Sequence, residues 1–268
     1  MKIWAVANQK GGVGKTTTTV SLAGLLAERG QRVLLVDIDP HGSMTSYFGM
    51  EPEAPGASVY SLFKAAGEGR TIDPARVVHP TFHEHIALMP ASTALATLDR
   101  QLAGRGGMGL VLRRAFDRLS KQYDYVLIDC PPILGVTMVN ALAAASYLII
   151  PVQTEFLALK GLERMMRTLS MIQHSRTRRL EYRILPTMYD QRTRASLETL
   201  RQLRARYDDE VWGDVIPVDT QFREASRKGR PLPLLLPESR GARAYARFLD
   251  DLDPPGAEIG TLREERVQ

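Results

Sequence analysis

The hydrophobic pattern of this chain alternates short apolar runs with longer stretches of mixed polarity. Most of the apolar runs carry few polar residues, which is typical of strands that are buried on both faces of a parallel sheet. We expect the main strands at Ile3–Ala7, Arg32–Asp37, Tyr125–Asp129, Tyr147–Val152 and Arg183–Met188. We expect helices at Thr16–Glu28, Met44–Phe48, Ser58–Ala66, Ala94–Leu102, Val111–Leu119, Ala195–Arg206 and Gly241–Asp251.

Weaker patterns predict the remaining elements and the domain limits. They indicate short strands at Val77–His79 and Ile86–Met89, a last strand ending at Val215–Pro217, and a mobile connection at Gly104–Gly109. No internal repeat or second domain is visible, so we expect one α/β domain at residues 1–251, a doubly wound, mostly parallel sheet with helices on both faces. Residues 252–268 are rich in proline, glycine and charge, and we expect a flexible C-terminal tail there.

The segment Gln9–Thr17, with the sequence QKGGVGKTT, connects the first predicted strand to the first predicted helix. Glycines let the backbone come close to an anion, and the free N–H groups at a helix start point towards it. Lys15 can contact the β- and γ-phosphates, and the Thr16 hydroxyl can ligate Mg²⁺. A merely flexible glycine turn is disfavoured, because the lysines and threonine stand in phosphate-binding register. The predicted phosphate-binding residues are Gly11, Gly12, Val13, Gly14, Lys15, Thr16 and Thr17.

Carboxylates follow two further predicted strands. Asp37 and Asp39 end the second strand, and Asp129 ends the strand that precedes Cys130-Pro131-Pro132. Ligands lie at the carboxyl ends of parallel strands, so we expect these side chains to face a nucleotide. Asp129 can hold Mg²⁺ together with Thr16. Asp37 has two open interpretations, a catalytic group or a structural one that caps a helix or supports a neighbouring group by hydrogen bonding. We expect a neighbouring histidine, His41, to face solvent.

Composition narrows the class of protein. The chain has 268 residues, 44% hydrophobic and 24% charged, without an apolar run long enough to cross a membrane, as in soluble globular proteins. Its single cysteine excludes a disulfide framework, and the early first strand leaves no room for a signal peptide, so we expect a cytoplasmic location. The net charge of +5 permits contact with nucleic acid or an anionic membrane. His79, His83 and His85 lack a fourth ligand, and we favour a surface loop over a zinc site.

Several motifs together resemble one known family. A standard P-loop has glycine where Gln9 stands, and the extra Lys10 makes KGGVGKTT resemble the deviant Walker A motif of the ParA/MinD family of dimeric ATPases. The D-x-D-P segment at Asp37, the D-C-P-P turn at Asp129 and the T-M-Y-D-x-R-T run at Thr187 also resemble that family. The last run favours ParA/Soj-type members over MinD-type members, which tend to have Asn-Arg there.

The resemblance implies an ATPase that binds ATP and Mg²⁺ and forms a homodimer around the nucleotide. Its implied catalytic residues are Lys10, which reaches the partner's phosphates, Lys15, and Asp39, which orients the attacking water. The implied metal-site residues are Thr16, Asp39 and Asp129. By the same resemblance the adenine lies near Thr187, Met188, Pro217, Val218 and Asp219. Residues around Glu155 line the family's dimer interface; the alternative for Glu155 is a helix cap.

The family further implies slow hydrolysis that a partner protein stimulates, and DNA binding without sequence preference. The expected DNA-binding residues are Arg201, Arg204, Arg223, Arg227, Lys228 and Arg230; solvated or ion-paired arginines are the alternative for each. The cargo is a DNA partition complex or a polar protein assembly such as a chemoreceptor array, with the protein on the nucleoid or at a pole. Partition ATPases usually continue I-P-R-N where this chain has Val218-Asp219, which favours protein cargo slightly.

Two rivals belong to other functional classes. A MinD-like membrane-cycling regulator needs a C-terminal amphipathic helix with basic and apolar faces, and the tail lacks that pattern, so no stable membrane association is expected. An ATP-dependent synthetase on the same fold would turn over ATP rapidly only with a small substrate.

Overall fold

A seven-stranded sheet forms the centre of the molecule in the computed structural model, which describes residues 1–54, 56–102, 108–174 and 176–255. The strand order is β3-β4-β2-β5-β1-β6-β7, and every neighbouring pair is parallel except β3 and β4. The strands are β1 (Lys2–Val6), β2 (Val33–Asp37), β3 (His79–Pro80), β4 (Ile86–Met89), β5 (Tyr125–Asp129), β6 (Tyr147–Gln153) and β7 (Glu181–Thr187). The predicted α/β fold with a mostly parallel sheet is confirmed.

Helices cover both faces of the sheet. They are α1 (Lys15–Glu28), α2 (Ser43–Tyr47), α3 (Val59–Gly67), α4 (Leu98–Gln101), α5 (Val111–Leu119), α6 (Val136–Ala144), α7 (Phe156–His174), α8 (Arg194–Tyr207), α9 (Gln221–Arg227), α10 (Leu232–Leu235) and α11 (Arg240–Leu252). Helices α1, α10 and α11 pack together on one face, and α5, α6 and α7 line the other.

The strands divide their side chains between two cores. In β1, Ile3 and Ala5 join the core under α5 to α7, whereas Trp4 and Val6 join the core under α1 and α11. Successive side chains of a strand point to opposite faces, so a strand that is covered on both faces must be apolar throughout. This burial explains why the strands appear in the sequence as apolar runs.

Three predicted elements are wrong in detail. Val77 ends a 3-10 helix that starts at Pro74, and the strand that follows is only His79–Pro80, antiparallel to β4. The predicted helix at 94–102 is a 3-10 helix, Thr93–Thr97, followed by α4, and the Thr97 hydroxyl donates to the Ala94 carbonyl at 2.7 Å within the 3-10 segment.

The third wrong element is the strand predicted to end at Val215–Pro217. Its backbone makes hydrogen bonds along β7, for example from the Ile216 N–H to the Pro186 carbonyl at 2.8 Å. Only an isolated bridge, Tyr189 with Pro217, forms there. Pro217 has no N–H to continue a ladder, so the segment lies beside the sheet without becoming a regular strand.

The C-terminal end of the described chain is well packed up to Asp253. Helix α11 continues to Leu252, and the buried Asp253 carboxylate accepts hydrogen bonds from Lys2 and Tyr125. The fold therefore includes the first two residues of the predicted tail. The tail from residue 256 onward, and residues 104–107 of the predicted glycine connection, lie outside the described residues. Among the described helices, none combines the length and apolar content that a bilayer crossing requires.

Candidate nucleotide-binding site

The phosphate loop joins β1 to α1 at the carboxyl edge of the sheet. Gly14 stands at the N-terminus of α1 with φ of 90°, a left-handed conformation that favours glycine. Among the described residues, no side chain caps α1, so the N–H groups of its first turn remain available to an anion. The Lys15 ammonium donates to the Lys10 carbonyl at 3.1 Å, which keeps it over the loop. This arrangement fits the cradle that the sequence predicts.

Thr16 and Asp129 form the centre of a candidate Mg²⁺ site. The Thr16 hydroxyl donates to Asp129 Oδ2 at 2.5 Å, and the buried Asp129 Oδ1 has no hydrogen-bond partner among the described residues. Burial raises the pKa of Asp129 well above its usual range, and the nearby Asp37 carboxylate raises it further. A buried, unpartnered carboxylate oxygen beside a hydroxyl is the hard oxygen donor set that Mg²⁺ prefers, so these residues fit the ion.

Asp37 supports the loop after β2. Its Oδ2 accepts hydrogen bonds from the Thr45 N–H at 2.8 Å and the Thr45 hydroxyl at 2.7 Å, and its Oδ1 accepts from the Asp39 N–H at 3.2 Å. The side chain is completely buried, and this burial raises its pKa to about 6. Of the two interpretations that the sequence left open, these contacts favour the supporting role.

Asp39 lies at the start of the loop that Asp37 supports, in contact with His41. Its Oδ1 accepts a hydrogen bond from the His41 N–H at 3.0 Å and lies 2.8 Å from His41 Nδ1. The His41 side chain is 76% exposed, as expected for a loop residue, yet its ring contacts the carboxylate. The water-orienting and metal-site roles of Asp39 remain predictions.

Lys10 is held within its own protomer. Its ammonium pairs with the Glu155 carboxylate, which lies just before α7. In the first turn of α7, the Ala158 N–H donates to the Glu155 backbone carbonyl at 3.0 Å. Among the described contacts, the Glu155 carboxylate therefore pairs with the extra lysine of the phosphate loop.

Residues Thr187 and Met188 lie against the phosphate loop. The Thr187 hydroxyl donates to the Val13 carbonyl at 2.8 Å, and Met188 Cε lies 4.0 Å from the Cβ position of Gly14. Met188 has φ of 52°, which is rare for a residue with a side chain and marks a tight turn at the end of β7. Thr187 and Met188, which the resemblance places near the adenine, therefore lie beside the phosphate loop.

The second predicted adenine segment, Pro217–Asp219, lies beside that turn. The Val218 N–H donates to the Tyr189 carbonyl at 3.0 Å. The Asp219 carboxylate accepts from the N–H groups of Gln221 at 3.0 Å and Gly241 at 2.9 Å, at the starts of two helices. Asp219 therefore stabilises helix ends, and its contact with a nucleotide remains a prediction.

The predicted DNA-binding residues fall into two regions. Arg201 pairs with Glu198, and Arg204 donates to the Gly213 carbonyl, both on α8 beside the edge strand β7. The second region surrounds a groove of about 400 Å³ between Ser226–Arg230 and the aromatic residues Tyr47, Phe48 and Phe82. Phe82 follows β3 at the opposite edge of the sheet. The groove residues of the second region therefore lie towards the β3 edge of the sheet, whereas α8 lies beside β7.

Charge pairing distinguishes the arginines of the second region. Arg227 pairs with Glu224 at 2.8 Å, and the Arg230 guanidinium lies 5.0 Å from the centre of the Phe82 ring. Among the described residues, Arg223 and Lys228 have no carboxylate at ion-pair distance. These two exposed cations are the ones best suited to an external polyanion.

Sequence reasoning missed an exposed apolar surface beside the site. Ile133 and Leu134 follow β5, and Phe156 and Leu157 follow β6, with Ile133 68% and Phe156 67% exposed. Strand β1 lies between β5 and β6, so these residues flank the phosphate loop on both sides. Large apolar side chains that remain in water together mark an interaction surface. The adjacent pairs of bulky apolar residues after each strand are the signal that could have identified it.

The buried Asp129 charge leads to a stability prediction. Above its raised folded-state pKa the carboxylate is ionised and destabilises the fold, and this cost disappears as pH falls below the unfolded value of about 4. Asp129→Asn keeps an oxygen for Thr16 without the charge. At pH 7.5 without Mg²⁺ we expect its Tm to exceed the wild-type Tm by at least ~3 °C, roughly 1 kcal/mol.

Thermal unfolding by circular dichroism between pH 4.5 and 8 measures this difference, which should shrink on acidification. Adding Mg²⁺ and ATP should raise the Tm of the wild type more than that of Asp129→Asn, because ligand binding stabilises only the competent site. A lower Tm for Asp129→Asn at pH 7.5 in the absence of Mg²⁺ would contradict the proposed charge burial.

Comparisons with known proteins agree with this geometry. Residues 1–182 match the family model described as an AAA domain. The chain is 39% identical over 245 residues to the sporulation initiation inhibitor protein Soj of Bacillus subtilis, covering 91% of this chain and 95% of Soj. It is 40% identical over 249 residues to the chromosome-partitioning ATPase Soj of Thermus thermophilus, covering 92% and 94%.

Solved structures show the same fold. A cobyrinic acid a,c-diamide synthase from Mycobacterium smegmatis, with bound ATP analogue and magnesium, superposes with a TM-score of 0.80 at 37% identity over 94% of both chains. A putative plasmid partition protein from Borrelia burgdorferi superposes at 0.77 and 24% identity, over 94% of this chain and 98% of that chain, which supports the fold alone. The extent of these matches shows that the chain belongs to the ParA/MinD family of deviant Walker A ATPases and that its cofactors are ATP and Mg²⁺.

Proposed function

We propose that this partition-type ATPase is an ATP-controlled dimer that binds DNA without sequence preference and positions cargo. The observation that carries the proposal is Lys10, a second loop lysine that pairs with Glu155 beside exposed apolar side chains. Lys15 already serves the phosphates of its own protomer, so Lys10 is available for those of a second protomer. Dimerisation would bury the apolar residues and let Lys10 exchange Glu155 for the phosphates of the second protomer.

The residues at the site have distinct tasks in hydrolysis. Lys15 and the loop N–H groups hold the phosphates, and Lys10 of the partner protomer would add positive charge where negative charge develops. When bound at Thr16 and Asp129, Mg²⁺ supplies charge neutralisation at the phosphate oxygens. Asp39 would orient the attacking water. Catalysis of this kind depends on positioning, which suits slow turnover that a partner protein accelerates.

DNA binding would use the exposed cations of both regions. A dimer carries two copies of the Arg223 and Lys228 surface, so a weak contact in one protomer becomes a linked pair of contacts. Phosphate contacts need only positive charge, which agrees with binding that ignores sequence. The cations of the α8 region would act together with this surface in the dimer.

The test compares duplex DNA binding with ATP and with ADP at several salt concentrations. We expect binding only with ATP, and the double variant Arg223→Glu/Lys228→Glu should weaken it by at least ~10-fold. The slope of log K against log salt should fall in magnitude by about 4, one for each of the four cations lost from the dimer, because each lost phosphate contact releases one counterion fewer. Fluorescence anisotropy on random-sequence duplex gives both quantities.

The matched control is Arg113→Glu/Arg114→Glu, which changes the net charge equally on α5, on the opposite face of the sheet. Its DNA affinity should fall by less than ~3-fold, because long-range charge is screened by salt. Equal losses of DNA affinity in the two double variants would show that net charge alone, and not the Arg223 and Lys228 surface, explains the effect. Equal DNA binding with ATP and ADP would rule out the dimer switch.

Two alternatives have their own measurements. ATP-dependent pelleting with anionic vesicles would favour the MinD-like membrane cycle. The synthase among the similar structures favours testing the synthetase alternative as well, with cobyrinic acid as substrate and hydrolysis of ATP as readout. If the protein is a partition-type ATPase, cobyrinic acid should not accelerate its hydrolysis of ATP.

A further inference from the structure

A buried threonine connects the catalytic loop to the rest of the sheet. Thr45 is completely buried in α2, the short helix that follows the Asp39 loop. Its hydroxyl donates to Asp37 Oδ2 at 2.7 Å and accepts from the Ala91 N–H at 2.8 Å. One hydroxyl therefore joins the end of β2, helix α2 and the segment after β4.

The same contacts define both ends of the Asp39 loop. Asp37 accepts the Asp39 N–H at the start of the loop and the Thr45 N–H at its end. Between them, the Gly42 N–H donates to the Asp39 carbonyl at 2.9 Å. Gly42 has φ of 60°, and a Cβ there would lie 2.1 Å from Pro52 Cγ, so the turn tolerates no side chain. The backbone position of Asp39 thus depends on the Asp37 and Thr45 pair.

We infer that Thr45 is a positioning residue for hydrolysis, acting through Asp37 on the Asp39 backbone. This inference rests on the proposed role of Asp39 in orienting water. Asp37 Oδ2 keeps one donor, the Thr45 N–H, when the hydroxyl is removed, and Ala91 loses its acceptor. A displacement of a catalytic group by about 1 Å can reduce a rate by about 100-fold. The described Thr45 hydrogen bonds reach Asp37 and Ala91 and not the phosphate loop, so we expect ATP binding to persist without the hydroxyl.

The experiment compares Thr45→Val, nearly equal in size but without the hydroxyl, with Thr45→Ser, which keeps it. Single-turnover hydrolysis should slow by at least ~10-fold in Thr45→Val and by less than ~3-fold in Thr45→Ser. The dissociation constant of a fluorescent ATP analogue should change by less than ~3-fold in both. A control, Thr199→Val, removes a buried hydroxyl on α8 and should leave the hydrolysis rate unchanged.

The outcomes separate the inference from its premise. Lower Tm with wild-type hydrolysis in Thr45→Val would show a structural role only and overturn the inference. Equal slowing in Thr45→Val and Thr45→Ser would overturn it as well, because the serine retains both hydrogen bonds. If Asp39→Ala also hydrolyses ATP at the wild-type rate, the proposed role of Asp39 is wrong. If Asp39→Ala hydrolyses ATP slowly but Thr45→Val hydrolyses it at the wild-type rate, only the positioning role of Thr45 is wrong.

Discussion

Lys10→Ala is expected to lose the ATP-dependent dimer while each monomer still binds ATP. The two lysines of the loop have different surroundings: Lys15 donates to the Lys10 carbonyl, and the Lys10 side chain reaches Glu155. Removing one charge from each of two symmetric contacts should raise the dimer dissociation constant by at least ~100-fold, since truncating a desolvated charge pair costs about 2–5 kcal/mol. Sedimentation velocity with a non-hydrolysable ATP analogue measures this constant.

Two further variants identify the cause. Lys15→Ala should lose affinity for ATP itself. This result would distinguish Lys15, which contacts the ATP of its own protomer, from Lys10, which contacts the ATP of the partner. Glu155→Gln should release Lys10 in both monomers and strengthen dimerisation by no more than ~30-fold, because each of the two pairs is partly exposed and worth less than about 1 kcal/mol, or about 5-fold. A Lys10→Ala protein that dimerises with ATP at wild-type concentrations would refute the contact across the dimer.

The sheet and the phosphate site were predictable because their signals are local. β1, β2 and β5 are buried on both faces and therefore appear as apolar runs, and the Gln9–Thr17 glycine loop follows the first of them. Helix α6 was missed, since Val136–Ala144 is mostly buried and shows no polar face to give a helical period.

The contacts around the site could not be predicted because they join distant parts of the chain. The sequence offers no local signal that Lys10 meets Glu155, or that Thr45 receives the Ala91 N–H. The same holds for the DNA-binding residues, whose charge pairing depends on neighbours in space. The arginine-rich stretches show where cations lie along the chain, but not that Arg227 pairs with Glu224 while Arg223 and Lys228 have no carboxylate at ion-pair distance among the described residues.

Asp39→Ala should bind ATP and dimerise but hydrolyse about 100- to 10,000-fold more slowly, the range for losing a group that handles the reacting proton or water. The phosphate loop and Asp129 are untouched by the change, so nucleotide affinity should stay within ~3-fold of wild type. Phosphate release under single-turnover conditions, together with size-exclusion chromatography with ATP, gives rate and oligomeric state for the same sample.

His41 provides the control, since its ring and N–H both contact the Asp39 carboxylate. Asp39→Asn keeps an oxygen for the His41 N–H but loses the charge, so hydrolysis as slow as in Asp39→Ala would assign the role to the charge. His41→Ala removes the ring contact alone and should change the rate by less than ~10-fold. Hydrolysis within ~3-fold of wild type in Asp39→Ala would instead move the water-orienting role to another group, and the buried Asp37, 3.2 Å from the Asp39 N–H, would be the next residue to test.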